Sequence, residues 1–172
     1  MERSSLASRL RNGETLIGFV STLACPGLLE ATRPRYDFVW LDGQHGNYDL
    51  VAMDRAVSEC RAVGLHSVVR VPGQEYGVIG PFLDTGLEAV MVPMVDTVEQ
   101  ARQVVRAVRF PPIGQRSFGG RHAIDRLGRN YHREAEPFVI AQIESPEGMS
   151  HAREIIGLQG IDMLLLGNVD WT

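Results

Sequence analysis

Six polar side chains fall where apolar runs of strand length end: Asp42 with His45 three residues on, Arg70, Gln142 with Glu144, and Asp170. Glu144 and Asp170 are hard oxygen ligands suited to Mg²⁺ or Mn²⁺, with water and substrate completing an octahedron. Two protein ligands leave the open positions that a catalytic metal needs. Arg70 offers a planar fork of donors for an oxyanion or carboxylate. His45 lies in Asp42-Gly43-Gln44-His45-Gly46, where the two glycines let the loop turn sharply, and it can take and return a proton near neutral pH. Asp42 is placed to orient either His45 or Arg70. Metal, arginine and base together suit proton removal or C–C cleavage beside a carbonyl, through a metal-stabilised enolate. The sequence contains no lysine, all 17 basic side chains being arginine, which excludes aldol chemistry through an imine.

These residues need elements that bring them to one place. Strands are expected at 16–20, 38–41, 67–71, 89–92, 138–143 and 161–166, each a continuous apolar run. Helices are expected at 4–11, 50–63, 76–84, 98–108 and 147–156, with a short helical piece before Pro34 and with Gly64 as a C-cap. Alternation of this kind means an α/β fold whose parallel strands are covered on both faces. Two architectures fit, an open doubly wound sheet or a (β/α) barrel. In both, the C-terminal strand ends share a rim where chemistry collects. A single acid at a strand end is usually a helix N-cap; polar residues from four strands together are harder to explain that way. Residues 110–136, rich in Gly, Pro and Arg, have no clear period and read as a long loop. Its Arg116, Arg121, Arg126, Arg129 and Arg133 are candidates for an anionic substrate tail, an interface or a solvated surface. Trp40 and Met91 read as core, and His66 and His132 as structural or exposed.

A chain of 172 residues, 44% apolar and 22% charged, has the size and balance of one globular domain. Its net charge of −4 argues against nucleic acid or an anionic membrane as main partner. Cys25 and Cys60 form no CxxC pair and read as reduced thiols. With no signal-peptide pattern and no apolar run long enough for a bilayer, a cytoplasmic location is expected.

The sequence resembles the HpcH/HpaI aldolase family, the metal-dependent class II pyruvate aldolases that include 4-hydroxy-2-oxoheptanedioate aldolase. The resemblance runs from Gly18 to Asp170. It rests on Leu41-Asp42-Gly43-Gln44-His45-Gly46, Val69-Arg70-Val71-Pro72, Leu83-Asp84-Thr85-Gly86, Val90-Met91-Val92-Pro93-Met94-Val95, Phe110 to Ser117, Gln142-Ile143-Glu144, Gly160-Ile161-Asp162 and Gly167-Asn168-Val169-Asp170. It implies a TIM-type (β/α)₈ barrel of the phosphoenolpyruvate/pyruvate superfamily, here a single domain over 1–172 ending after the sixth strand, and assembly into a homo-oligomer, commonly a hexamer. It further implies His45 as acid/base and Arg70 on the pyruvate oxygen, with Asp42 and Asp84 in support. Glu144 and Asp170 would hold Mg²⁺, Mn²⁺ or Co²⁺, and Gln142, Gly167, Asn168 and Val169 would line the pyruvate pocket. The expected reaction cleaves a 4-hydroxy-2-oxo acid to pyruvate and an aldehyde. The alternatives are a citramalyl- or malyl-CoA-type lyase and a truncated, non-catalytic barrel acting as an assembly subunit. The sequence departs from the family in Gln44, where many members carry Glu, and in Gly167-Asn168-Val169-Asp170-Trp171, where members usually read Gly-Pro-x-Asp-Leu.

Overall fold

The computed structural model describes residues 4–25, 27–134 and 136–167. Six parallel strands form one sheet in sequential order: β1 (Gly18–Ser21), β2 (Phe38–Asp42), β3 (His66–Arg70), β4 (Ala89–Val92), β5 (Phe138–Ile143) and β6 (Met163–Leu166). That order decides between the two architectures. A doubly wound sheet reverses its strand order at a switch point, whereas a barrel adds each strand beside the last.

Alternation along the strands separates two apolar layers. Val39, Leu41, Val69, Val90, Val92, Val139, Ala141 and Ile143 point outward into the main core. Against them pack the helices α3 (Leu50–Val63), α4 (Tyr76–Leu83), α5 (Val98–Val108) and α8 (Pro146–Ile156). The opposite, concave face carries Phe38, Trp40, Val68, Ala89, Met91, Phe138, Ile140, Met163 and Leu165. At the N-terminal end of this inner layer, α1 (Leu6–Arg11) inserts Leu6 and Leu10 among these side chains. The inner face is therefore filled by its own side chains and a plug, as in a barrel interior.

Helix ends follow local rules. Asp49 caps α3 by accepting from Ala52 N at 2.7 Å, and Gly64 ends it at φ 80°. Thr97 and Gln100 form a reciprocal capping box at the start of α5. The expected loop at 110–136 instead contains two short helices, α6 (Arg121–Leu127) and α7 (Tyr131–Glu134). Each is too short to display a helical period. Aromatic contacts fix the segment: Phe118 stacks on Tyr131 at 5.5 Å, and the Arg116 guanidinium lies 4.8 Å from the Phe110 ring centre. Arg116 is buried, and Arg126 reaches Ser58, Asp54 and the Thr85 carbonyl, so these two arginines stitch the segment to the barrel. Of the remaining helices, α2 spans Leu28–Thr32 and a 3₁₀ turn follows at Arg33–Arg35.

Both sheet edges bear apolar side chains in solvent. Ile17 and Val20 are 60% and 52% exposed on the β1 side, and Leu166 is 50% exposed on β6. Within the single chain β6 is only partly covered, its first three residues half-buried and Leu166 exposed. β6 is also shorter than the expected 161–166, because Ile161 and Asp162 serve the turn that enters it. There Asp162 accepts from Val139 N and from Arg109.

Candidate active site

Parallel pairing places Asp42 beside Arg70, their Cα positions being partners in the β2–β3 register. Side chains at the last position of both strands point inward, so the two meet at the C-terminal rim. Arg70 donates from Nε to Asp42 Oδ1 at 2.9 Å and from Nη2 to Oδ2 at 2.6 Å, a bidentate pair. The same Oδ1 accepts from the backbone N–H groups of Gln44 and His45, at 3.0 and 3.2 Å. Burial pushes the Asp42 carboxyl up, but the Arg70 hydrogen bond, the two loop amides and the Arg70 charge outweigh it, and the group lies below the usual aspartate range. Of the two partners the sequence leaves open, Asp42 grips the Arg70 side chain, and it meets His45 at the backbone amide, where it folds back the loop. The His45 side chain is exposed at the rim.

The loop is narrow for a stated reason. A Cβ on Gly46 would run into the carbonyl oxygens of Asp42 and Thr22, so only glycine lets the loop close there. Tyr48 anchors its far end, donating to the Leu23 carbonyl at 2.9 Å while its hydroxyl sits 2.8 Å from Ser21 Oγ.

Two strands from β3, at about 10 Å by interstrand spacing, Gln142 lies near the end of β5 and Glu144 just after it, both buried. Glu144 Oε1 accepts from Gln142 Nε2 at 2.7 Å, and Oε2 accepts from Met94 N at 2.9 Å. Met94 adopts φ 55°, unusual for a residue with a side chain. This turn after β4 aims its N–H at the carboxylate, and Gln74 Nε2 braces it by donating to the Pro93 and Met94 carbonyls. Gly167 closes the other side: a Cβ there would come within 3.0 Å of Gln142 Nε2 and 3.1 Å of Glu144 Oε1. The buried amide oxygens of Gln44 and Gln142 make no hydrogen bond among the described residues.

The sequence-predicted residues divide into three groups. Asp42, Arg70, Gln142, Glu144 and Gly167 gather on the inner rim, with His45 at its edge. Asn168, Val169 and Asp170 lie outside the described residues. Asp84 does not join the cluster within this chain. It caps the C-terminal end of α4, toward the opposite rim, and pairs with Arg116 at 3.4 Å. Sequence reasoning passed over Met94 and Gln74 and read Trp40 as core alone. Only Met94 had a signal, lying within the Pro93-Met94-Val95 motif; the others act through packing and backbone contacts that no spacing reveals.

The donor set bears on the expected cation. Among the described residues no group of three or more His, Cys, Asp or Glu converges as a metal cage. Mg²⁺-type sites commonly use one or two carboxylates with water and substrate. Glu144 fits that role: it is buried, preorganised by Gln142 and Met94, and each of its oxygens keeps a second lone pair.

Fold and rim together define the class: a TIM-type βα barrel with an arginine–carboxylate site at the C-terminal ends of its strands. Residues 19–172 match the family model for HpcH/HpaI aldolase/citrate lyase, and the chain belongs to that family. It is 37% identical over 175 aligned positions to the 4-hydroxy-2-oxovalerate aldolase of Novosphingobium aromaticivorans, covering 97% of this chain and 66% of that one. It is 36% identical over 169 positions to the hydroxypyruvate/pyruvate aldolase of Delftia acidovorans, covering 94% and 62%. Among solved structures, an HpcH/HpaI aldolase/citrate lyase family protein from Burkholderia cenocepacia superposes with TM-score 0.87 at 32% identity, over 96% of this chain and 69% of that one. The citrate synthase SbnG superposes with TM-score 0.85 at 28% identity, over 97% and 66%. The chain therefore spans about two thirds of the length of these relatives. Among the described residues no helix is long and apolar enough to cross a membrane.

Proposed function

We propose that the chain, as one barrel domain over 1–172, carries the pyruvate half-site of a class II, metal-dependent aldolase. The reaction is cleavage of a 4-hydroxy-2-oxo acid to pyruvate and an aldehyde. The observation that supports this most is the buried Arg70, held bidentate by Asp42 two strands from a preorganised Glu144 on the same rim. None of these 172 residues is a lysine, so none of them can form an imine with the substrate. In this reading Asp42 occupies one edge of the guanidinium, and the Nη1 edge meets the 2-oxo oxygen, where negative charge grows as the enolate forms. His45 takes the proton of the C4 hydroxyl as the C3–C4 bond breaks and returns a proton to C3 of the enolate. Gln142 holds the Glu144 carboxylate in place. Glu144 with Asp170 would hold the divalent cation, Mg²⁺, Mn²⁺ or Co²⁺, which supplies positive charge against the developing oxyanion. Gly167, Asn168 and Val169 would border the pyruvate; Asp84, which within one chain pairs with Arg116 away from this rim, would support the acid/base only from a neighbouring copy of the chain. The protein acts in the cytoplasm as a homo-oligomer, with hexamers the assembly suggested by family resemblance; the exposed apolar edges at β1 and β6 support association.

The test is pyruvate release from a 4-hydroxy-2-oxo acid. It should vanish with EDTA and return with MnCl₂, and turnover that survives chelation refutes the assignment. His45→Ala should slow exchange of the pyruvate methyl protons while metal affinity stays nearly unchanged, whereas Glu144→Ala should abolish Mn²⁺ binding.

A further inference from the structure

Trp40 stands one inward-facing position below Asp42 on β2, in the layer of the barrel interior beneath the site. The Arg70 guanidinium carbon lies 5.0 Å from the centre of its ring. Asp42 holds one edge of that guanidinium through Nε and Nη2. A planar cation gripped along one edge can still swing about that edge. A second contact on its face removes the motion, and an indole is the best aromatic for it. We infer that Trp40 is a positioning residue for Arg70: edge and face are both fixed, and Nη1 is left outside the Asp42 pair. Its role as a positioning group for an oxo acid rests on the function proposed above; the fixing of Arg70 itself does not.

Two further observations fit. The Trp40 Nε1–H is buried and makes no hydrogen bond among the described residues, so an apolar ring of the same size class would serve the core without burying an unpaired donor. The neighbouring inner-layer side chains, Val68, Met91 and Ile140, are aliphatic or thioether and offer Arg70 no comparable face. An ordinary core residue would explain the packing but not an electron-rich face under the one cation at this rim that is paired with Asp42.

The experiment uses the whole chain and reads Arg70 directly. In ligand-free protein the Arg70 Nε–H resonance, assigned by its loss in Arg70→Lys, should be shifted by the indole ring current and show cross-relaxation to Trp40 ring protons. Trp40→Met should abolish the ring-current shift and speed exchange of that proton about tenfold, and Trp40→Phe should restore most of both. Pyruvate affinity in MnCl₂, measured by calorimetry, should fall about tenfold in Trp40→Met and less than about threefold in Trp40→Phe. The inference is overturned if folded Trp40→Met keeps the parent's Arg70 signal and exchange rate. It is equally overturned if the parent shows no cross-relaxation between Arg70 and Trp40, a measurement that needs no variant to fold. If the Trp40 series moves the Arg70 signal as expected while the parent binds no pyruvate, the positioning of Arg70 stands and the oxo-acid reading of the site falls.

Discussion

Asp42→Asn isolates the contact on which the rim depends. The replacement is isosteric and keeps one oxygen for the Gln44 and His45 amides, but it removes the charge and turns an amide N–H₂ toward Arg70 Nη2. Asp42 and Arg70 are 2% and 9% exposed, so the arginine is left as a buried, uncompensated cation. Breaking such a pair from one side costs about 3–5 kcal/mol. For a domain of this size about 3 kcal/mol lowers the melting temperature by roughly 6–12 °C. The pH dependence has a definite sign. The folded Asp42 carboxyl lies below its ordinary value, so the unfolded chain binds the proton more readily. Its contribution is complete above the unfolded aspartate value of about 4 and is lost as pH falls through the lower folded value. The stability gap between the native sequence and Asp42→Asn, measured by urea denaturation, should therefore be constant near neutrality and shrink in acid. Arg70→Met in the same chain should recover part of the loss, because removing both charges leaves no orphan. A loss below about 1 kcal/mol at pH 7, or a gap that widens on acidification, refutes the argument that this pair is buried and coupled.

Two other outcomes follow from the same geometry. Gly167→Ala places a methyl within 3.0 Å of Gln142 Nε2 and 3.1 Å of Glu144 Oε1; Mn²⁺ affinity measured by electron paramagnetic resonance should fall, and unchanged affinity would show that Glu144 is not the ligand or that the β6 end moves freely. Tyr48→Phe removes the hydroxyl shared with Ser21 and the Leu23 carbonyl, which should cost about 1 kcal/mol in urea and accelerate amide exchange across 43–49, the loop that carries His45.

The sequence by itself determined the alternation of strands and helices, since apolar period and caps are local. The α5 range, Val98–Val108, is the range its pattern predicts, because Thr97, Gln100 and the valine stripe all act within one segment. It also determined which residue types could gather at a rim. Boundaries shifted by one to two residues where a tertiary contact intervened, as at β6, where Asp162 is spent on Val139 and Arg109. The helices α6 and α7 were not legible, being held by Phe110, Phe118 and Tyr131 packing around Arg116 rather than by periodicity. Periodicity left barrel and doubly wound order both open and the family resemblance pointed to the barrel; the sequential strand order settles it, because strand neighbours are a matter of long-range pairing. The tertiary structure alone joined Asp42 to Arg70 across 28 residues of sequence, sent Asp84 to Arg116 at the other end of α4, and set Trp40 beneath the guanidinium. Spacing along a chain fixes which face a side chain takes; which side chain it meets there depends on the register between strands.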